Sequence, residues 1–300
     1  MSANHKKVSY NQGLFYAILC YFAWGLFPIF WKLITGVPAL NILSHRVVWS
    51  FVFLIIWVFF SDWQTFVRYV RQPKLLLRLG LAGLTICTNW GVYIYAVESN
   101  HILEAGLGYY INPLVNVLFG YLFLKERLAP LQKIAVVLAL VGVVYFAVSY
   151  GKPPWIALIL ATTFGLYGLL KKKAKLESMP ALTVETMMVM PLALAYLFYT
   201  NGSGGAPFFP SSTGVSLLLV LGGVITAIPL FWFGKAAEAI PLSTLGFIQY
   251  IGPTLQLIIG IFLYNESFST GHIVCFAFVW LGLVFYTLSI LKGRKVTVAS

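Results

Sequence analysis

The stretch GLGYYINPLVNVLFGYLFLKE (106–126) returns 140 residues later as GFIQYIGPTLQLIIGIFLYNE (246–266). Gly106/Gly246, Tyr110/Tyr250, Ile111/Ile251, Pro113/Pro253, Gly120/Gly260 and Glu126/Glu266 are identical. Apolar residues coincide often by chance, but Tyr, Pro and Glu at one unchanging offset do not. Without a gap, the same offset sets WGLFPIFWK (24–32) against FGLYGLLKK (164–172). It also sets Gly83 against Gly223, the AVE ending at Glu98 against the AAE ending at Glu238, and Gly142 against Gly282. Self-similarity at a fixed spacing is the mark of an internal duplication.

Composition says what is duplicated. Of 300 residues, 60% are hydrophobic and 9% charged, where a soluble domain carries about 25% charged residues. That excludes a water-soluble globule, a disordered chain and a disulfide-built module. Apolar runs cover 13–31, 39–60, 75–97, 102–124, 129–149, 154–170, 180–199, 214–235, 241–263 and 271–291. Each approaches the roughly 20 residues that cross a bilayer as a helix. The first run is too long for a signal-peptide core and has no small-residue cleavage site after it, so it reads as a retained span. The expected fold is an all-α membrane protein of ten transmembrane helices, in two five-helix units over 13–150 and 153–292. Charged or Gly/Pro-rich connectors separate the spans, among them SDWQTFVRYVRQP, KKKAKLESMP and TNGSGGAPFFPSST. Cys20, Cys87 and Cys275 lie inside spans with no metal-ligand spacing, and read as small buried hydrophobes.

Charge orients the chain. With the N-terminus in the cytoplasm, the inner side collects Lys6 and Lys7; Arg68, Arg71, Lys74 and Arg78; Lys125, Arg127 and Lys133; Lys171, Lys172, Lys173 and Lys175; Lys235; and Lys292, Arg294 and Lys295. The outer side collects Lys32 and Lys152, and Arg46 lies within a span. Positive charge in short loops faces inward, so both termini are expected in the cytoplasm. These cations line a membrane face, where anionic lipid headgroups attract them. No separate basic domain exists, so a nucleic-acid partner is not expected despite a net charge of +12.

Five spans are an odd number, so the second unit must cross the membrane in the sense opposite to the first. The charges change sides accordingly: Lys125 and Arg127 follow the fourth span inside, while Asn265 and Ser267 follow the ninth outside. Inverted repeats recur in secondary transporters, where they supply two near-equivalent arrangements, open to opposite sides.

The segments YFAWGLFPIFWK (21–32), SHRVVWS (44–50), LEAGLGYYINPLVNVLFGYLFLKERL (103–128), ETMMVMP (185–191), STLGFIQYIGPTL (243–255) and FAFVWLGL (276–283) carry a family resemblance. Together they resemble the RarD branch (chloramphenicol-sensitive proteins) of the drug/metabolite transporter superfamily, built from two EamA-type units. The resemblance covers essentially the whole chain. It implies a ten-helix carrier of the bacterial inner membrane that exports small metabolites or amphipathic drugs, and it implies no particular substrate. The stretch 200–213 matches nothing in that pattern and is assigned no role.

Polar groups in apolar spans are the candidate functional residues, because an Arg near mid-helix costs roughly 2.5–3.5 kcal/mol on insertion scales. Arg46, beside His45, is about two turns below the outer end of its span. It is expected to pair with Glu98 or Glu104 in an outer ion-pair layer near Lys32 and His101; the alternative is snorkelling to headgroups. The offset gives Lys172, Glu185 and Glu238 as an inner layer. Charge layers at both mouths would serve alternating closure, with Glu98 and Glu238 holding their respective sides shut.

Pro113 and Pro253 lie near mid-span, where each frees the carbonyl four residues earlier, on Tyr109 and Gln249. They are expected to make symmetric breaks that act as hinges. Beside them Tyr110, Asn112, Asn116, Gln249 and Tyr250, with Trp24, Phe27, Asn89, Trp90, Tyr93 and Tyr167 from neighbouring spans, form the expected substrate site. Aromatic walls with a few amides suit an amphipathic or planar solute. For each aromatic the competing reading is packing, and for each amide an interhelical hydrogen bond.

GxxxxGK, GxSxG and HExxH motifs are all missing and Asp62, the single aspartate, is in a connector. An enzyme is therefore not expected, and neither is a cofactor or metal. Transport would run on an ion gradient or downhill, and protons are the expected coupling ion because Glu98, Glu104, Glu185, His45 and His101 can titrate. Uptake or facilitated diffusion, an intramembrane enzyme or lipid-handling protein, and a channel are the rival readings. A monomer or a homodimer is expected.

Overall fold

The computed structural model describes residues 8–98, 101–150, 154–210, 212–264, 270–292 and 297–298, and for 97, 98, 102–104, 150, 297 and 298 the backbone only. The elements are α1 Tyr10–Trp31, α2 Ala39–Ser61, α3 Trp63–Val70, α4 Pro73–Glu98, α5 Ile102–Leu124, β1 Glu126–Arg127, α6 Pro130–Tyr150, α7 Trp155–Ala174, α8 Ser178–Gly202, α9 Thr213–Ala239, α10 Leu242–Gln249, α11 Ile251–Tyr264, α12 Thr270–Leu291 and β2 Thr297–Val298. Ten helical segments are long and apolar enough to cross a membrane, α10 and α11 together making one of them. Their outer faces stay apolar: Phe60, Phe262 and Leu291 are 82%, 80% and 76% exposed. Water would not tolerate such a surface, and lipid does.

Local chemistry sets the helix ends. At the start of α1, Ser9 Oγ accepts from the Gln12 N–H while Gln12 Oε1 accepts from the Ser9 N–H at 2.9 Å, a reciprocal cap for two orphan donors. α5 stops because Lys125 adopts φ 55°, and α7 stops at Lys175 with φ 49°. β1 pairs antiparallel with β2, Glu126 opposite Val298.

Two features differ from the sequence expectation. The connector after α2 contains a helix, α3, where a charged loop is expected. Asp62 Oδ1 accepts from the Thr65 N–H at 3.3 Å to start it. Thr65, Phe66 and Tyr69 then fall on one face and bury against the core, leaving Arg68 and Arg71 exposed. The proline breaks are also unequal. α5 runs unbroken through Pro113, whereas the ninth span is interrupted at Tyr250. There the Tyr250 N–H turns to the Phe247 carbonyl at 3.3 Å, a tighter three-residue closure just ahead of Pro253.

Packing is reciprocal at the 140-residue offset. α1 packs on α9 as α4 packs on α7, α2 on α9 as α4 on α8, and α5 on α7 as α1 on α11. The correspondence holds at single residues. A Cβ placed on Gly25 would stand 2.7 Å from Leu255, and one on Gly165 would stand 2.7 Å from Val115. One on Gly142 would stand 2.9 Å from the Cys275 carbonyl, and one on Gly282 the same distance from the Ala135 carbonyl. Gly83 meets Glu185 and Val189 as Gly223 meets Trp49 and Ser50. Small residues at helix crossings let backbones approach where hydrophobicity cannot drive association, and the Ser50 hydroxyl adds a 2.9 Å bond to the Gly223 carbonyl.

Gly223→Ala and Gly83→Ala should therefore each lower thermal stability, by about 1–3 kcal/mol as expected for overpacking. Gly91→Ala, where no described atom lies within 4 Å, should leave stability unchanged or raise it. Size-exclusion thermostability profiles compare the three, and equal melting of all three would contradict the close-crossing account.

Candidate functional site

Between α2, α4, α8 and α9 lies a small cavity of about 20 Å³, lined by Val47, Ser50, Ile86, Cys87, Trp90, Leu182, Glu185, Val189 and Leu230 among others; that is room for about one water. It joins elements of both units and its wall is largely apolar. Of the residues expected beside Pro113 and Pro253, Asn116 and Gln249 are buried and bonded to each other, and Tyr250 is bonded to the Tyr110 carbonyl.

Arg46 flanks the cavity. Its guanidinium carbon sits 4.6 Å from the ring centroid of Trp31 and 4.6 Å from that of Trp90, so an indole from α1 and another from α4 cover it. Nε donates to Thr226 Oγ1 on α9 at 3.1 Å, and that hydroxyl donates in turn to the Gly222 carbonyl at 2.7 Å. Among the described residues, Cys87, Tyr93 and Tyr109 are the titratable side chains near enough to act on the cation. Among the described residues no carboxylate bonds to Arg46. The expected partners, Glu98 and Glu104, have side chains outside the described residues, so the outer ion pair lies there too. Snorkelling does not describe this side chain, which is held inward by a hydroxyl 2% exposed.

His45 is 1% exposed and faces the connector after α8. Trp49 Nε1 donates to His45 Nδ1 at 3.3 Å, which leaves Nε2 to donate to the Phe208 carbonyl at 2.8 Å. Phe209 stacks on both His45 and Trp49, at 5.6 and 6.2 Å. Asn41 Nδ2 adds a 3.1 Å bond to Thr200. The stretch 200–213 thus straps α2 from outside, a role that sequence patterns did not reveal. Its aromatic pair in an otherwise Gly/Ser/Pro-rich connector was the available signal. Lys32 is exposed and lies 3.3 Å from the ring centroid of Tyr264.

At the expected inner layer the cations are arranged differently. Glu185, 1% exposed, takes Lys171 at 2.8 Å on Oε1 and the Tyr167 hydroxyl at 3.0 Å on Oε2. Lys172 instead donates to the Ile240 carbonyl at 2.6 Å, and Glu238 is exposed. The cause is helical spacing: Tyr167 and Lys171 are four residues apart and share the face that meets α8, whereas Lys172 is turned toward the α9–α10 junction. The missed residue there is Glu126, 1% exposed. Its Oε1 accepts from the Leu242 N–H at 2.7 Å and its Oε2 from the Ser243 N–H and hydroxyl at 2.9 and 2.5 Å. A carboxylate from the first unit thereby caps a helix of the second, where the orphan N–H groups and the dipole favour negative charge. Gly120 makes the room, since a Cβ there would stand 2.5 Å from Glu126 Oε2.

The remaining candidates serve packing to different degrees. Trp24 lies 5.6 Å from Phe164 and 5.8 Å from Phe233, and Phe233 stacks on Tyr167 at 5.6 Å. Phe27 meets Trp31 edge-on at 5.7 Å, and Tyr93 lies 5.9 Å from Tyr109. Asn89 Nδ2 fastens α4 to α7 through the Leu160 carbonyl at 2.7 Å and Thr163 at 2.9 Å. Asn116 Nδ2 donates to Gln249 Oε1 at 3.0 Å. The Tyr250 hydroxyl donates to the Tyr110 carbonyl at 3.2 Å, while the Tyr110 ring packs on Phe146 and Phe276. Asn112 and Asn116 each keep a buried Oδ1 without a hydrogen-bond partner. Among the described residues no cluster of His, Cys, Asp or Glu suits a metal.

Residues 11–148 match the EamA-like transporter family. Across 290 residues the chain is 46% identical to a transporter of Bacillus subtilis, YojE, covering 95% of this chain and 96% of that protein. It is 39% identical to the protein RarD of Escherichia coli over 288 residues, covering 96% and 97%. The chain belongs to the EamA-like transporter family, in its RarD branch. A chloramphenicol-sensitive protein RarD of Pseudomonas aeruginosa is 29% identical over 280 residues, 91% of this chain and 93% of that one. One crystal structure shares the fold with a TM-score of 0.72 at 18% identity, over 93% of this chain and 98% of the other. This EamA-like chain is an integral membrane protein with a general transporter role, and its family is one of transporters rather than enzymes.

In this EamA-like protein, breaking the Lys171–Glu185 pair from one side should be costly. Glu185→Gln strands an ammonium that is 6% exposed, and removing one partner of a buried pair costs about 3–5 kcal/mol. The double variant Lys171→Met, Glu185→Gln should recover most of the loss. Thermal melting of single and double variants reads this directly. A single variant that melts with the wild type would refute the pairing as described.

Proposed function

We propose that this protein is a secondary transporter of the bacterial inner membrane, both termini cytoplasmic, which exports small metabolites or amphipathic drugs by alternating access between two inverted five-helix repeats. One observation carries the alternation. The reciprocal packing fails at a single compared glycine pair, Gly246 and Gly106. A Cβ on Gly246 would stand 2.8 Å from both the Pro113 carbonyl and Asn116 Cβ, whereas one on Gly106 would meet no described atom within 4 Å. The contact that closes the inner seam has an exact sequence counterpart at the outer seam, and there it is unmade. This asymmetry supports a carrier with one seam closed and its equivalent apart, which in the proposed orientation would be open on the outer side. Closing the outer seam and parting the inner one would exchange the roles of the two units.

The anchors described above hold the inner seam. Glu126 grips the N–H groups of Leu242 and Ser243, and Lys172 grips the carbonyl of Ile240, so one turn is clamped by its donors and its acceptor together. The break at Tyr250 gives α10 a joint about which to leave α5, with Pro253 as the hinge, and Pro113 supplies the equivalent joint in α5. Export is supported by the resemblance to the RarD branch. Of the groups that could couple protons, Glu185 and His45 are already engaged, both oxygens of the one and both ring nitrogens of the other having partners, so a proton acting at either would break one of those bonds.

Accumulation of radiolabelled aromatic metabolites and drugs by inside-out vesicles, with and without a pH gradient, tests transport and its coupling. No accumulation of any solute, together with a measured covalent turnover, would replace the carrier by an enzyme. For the seam, Glu126→Gln should speed maleimide labelling of Thr244→Cys, placed in a background lacking the three native cysteines. Thr244 is 0% exposed, and loss of a charged hydrogen bond, about 1.5–3 kcal/mol, predicts about tenfold or more. An unchanged labelling rate would remove Glu126 from the closure.

A further inference from the structure

We infer that α3 is a docking surface for anionic phospholipid headgroups, with Arg68 and Arg71 holding the phosphate and Trp63 setting the depth at which it lies. The argument starts from the two faces of one short helix. Thr65, Phe66 and Tyr69 bury one face against the core, and Arg68 and Arg71 stand exposed on the other. Lys74 and Arg78 follow in the first two turns of α4 and are exposed as well. Residues three or four apart are neighbours on a helix surface, where like charges repel. Each pair therefore stands against its own repulsion until an anion neutralises it.

No carboxylate of the chain meets that need. Among the described residues none bonds to any of these four cations. The acidic side chains outside the described residues belong to the other end of the molecule. Glu98 closes α4, in whose first turn Lys74 lies, so 24 rises of 1.5 Å put about 36 Å between them. Glu104 is in the first turn of α5, which begins at that far end. Glu266 follows Tyr264, whose ring lies against Lys32 there. Other cations near α3's end of the molecule are already engaged: Lys171 with Glu185, Lys172 with the Ile240 carbonyl, and Lys173 and Lys235 over the rings of Phe123 and Phe231.

Aromatic rings set the depth. Phe59 and Phe60, in the last turn of α2, are 57% and 82% exposed and belong in hydrocarbon. Trp63 comes next, half-exposed, its ring 5.5 Å from Phe59 and 5.1 Å from Phe66. An indole settles at the boundary between acyl chains and headgroups, being apolar in body and polar at its N–H. With Trp63 there, a helix of 8 residues, about 12 Å long, carries Arg68 and Arg71 along the headgroup layer. A guanidinium fork meets two phosphate oxygens in parallel bonds, where an ammonium offers only a point charge. Arg68, Arg71 and Arg78 are three of the six arginines of the chain.

The duplication does not account for this row. Positions 203–210, 140 residues after α3, read SGGAPFFP and hold no cation, so the row belongs to one unit and one membrane face. Tyr69 joins the surface to the body, because its hydroxyl accepts from the Glu177 N–H at 3.2 Å just ahead of α8. A headgroup held on α3 thereby steadies the adjoining ends of α2, α4 and α8. The surface stands whether or not the transport proposed above does.

Quenching in nanodiscs tests this on the full chain. Gln72→Cys, exposed between α3 and α4, is labelled with a fluorophore in a background lacking Cys20, Cys87 and Cys275. Phosphatidylglycerol with a nitroxide high on one acyl chain is compared with phosphatidylcholine carrying the same nitroxide, in discs of unlabelled phosphatidylcholine. The phosphatidylglycerol should reach half-quenching at a mole fraction about fivefold lower, the factor that one cation near an anionic surface supplies. Arg68→Gln with Arg71→Gln should remove that preference, and Arg68→Lys with Arg71→Lys should keep part of it. Lys173→Gln with Lys175→Gln, which removes equal charge elsewhere, should keep most of it. Equal quenching by the two lipids in the wild type overturns the inference, and that comparison stands even if a variant fails to fold. A preference that survives the paired Arg→Gln change, or that the paired Lys→Gln change removes equally, reduces the surface to general charge and overturns it too. Glycerol phosphate in solution should leave the preference in place; full reversal by it would mean a free-anion site and no lipid surface.

Discussion

Two backbones touch where α2 crosses α9, because Gly223 puts nothing between them, and Gly83 allows the same approach where α4 crosses α8. Hydrocarbon gives helices no reward for hiding leucine against leucine, so close packing and interhelical hydrogen bonds must hold them together. The four helices so joined are also the walls of the cavity. Its width is therefore set by glycine rather than by the large side chains that line it. The Arg46 clamp depends on the same crossings, since Trp90 comes from α4 and Thr226 from α9.

The polar groups within this frame fall into two kinds. Some are bonded across elements: Lys171 and Tyr167 to Glu185, Glu126 to the start of α10, Asn89 to α7. These link one element to another. Others, among the described residues, keep an atom without a partner, as the buried oxygens of Asn41, Asn112 and Asn116 do. Position in a span does not separate the two kinds. The partner does.

Much of the architecture was legible because it is written in periodicity. The ten apolar runs, the all-helical membrane fold and the fixed offset all survive in a one-dimensional reading, since a span needs only length and apolarity. Partner choice needs the angle around the helix axis. Lys172 was favoured over Lys171 as the partner of Glu185 because it aligns with Lys32, yet one residue is a turn of about 100°. α3 was hidden by its arginines, which point away from the buried Phe66 and Tyr69. Glu126 looked like one more loop charge, because its partners are backbone N–H groups that no side-chain pattern announces. The strap at Phe208 and Phe209 lacked any counterpart in the other half, and so had no repeat to reveal it.

The unequal proline helices carry one more consequence. α5 is continuous while its counterpart is interrupted at Tyr250, so of these two equivalent helices one carries a backbone discontinuity and the other does not. If the halves trade conformations, that discontinuity migrates from one to the other and is neither created nor healed. Whatever energy a missing helical turn represents then appears on both sides of the equilibrium and cancels. The two end states can lie close in energy even though each contains an irregular helix in the middle of a membrane, leaving solute and ions to tip the balance.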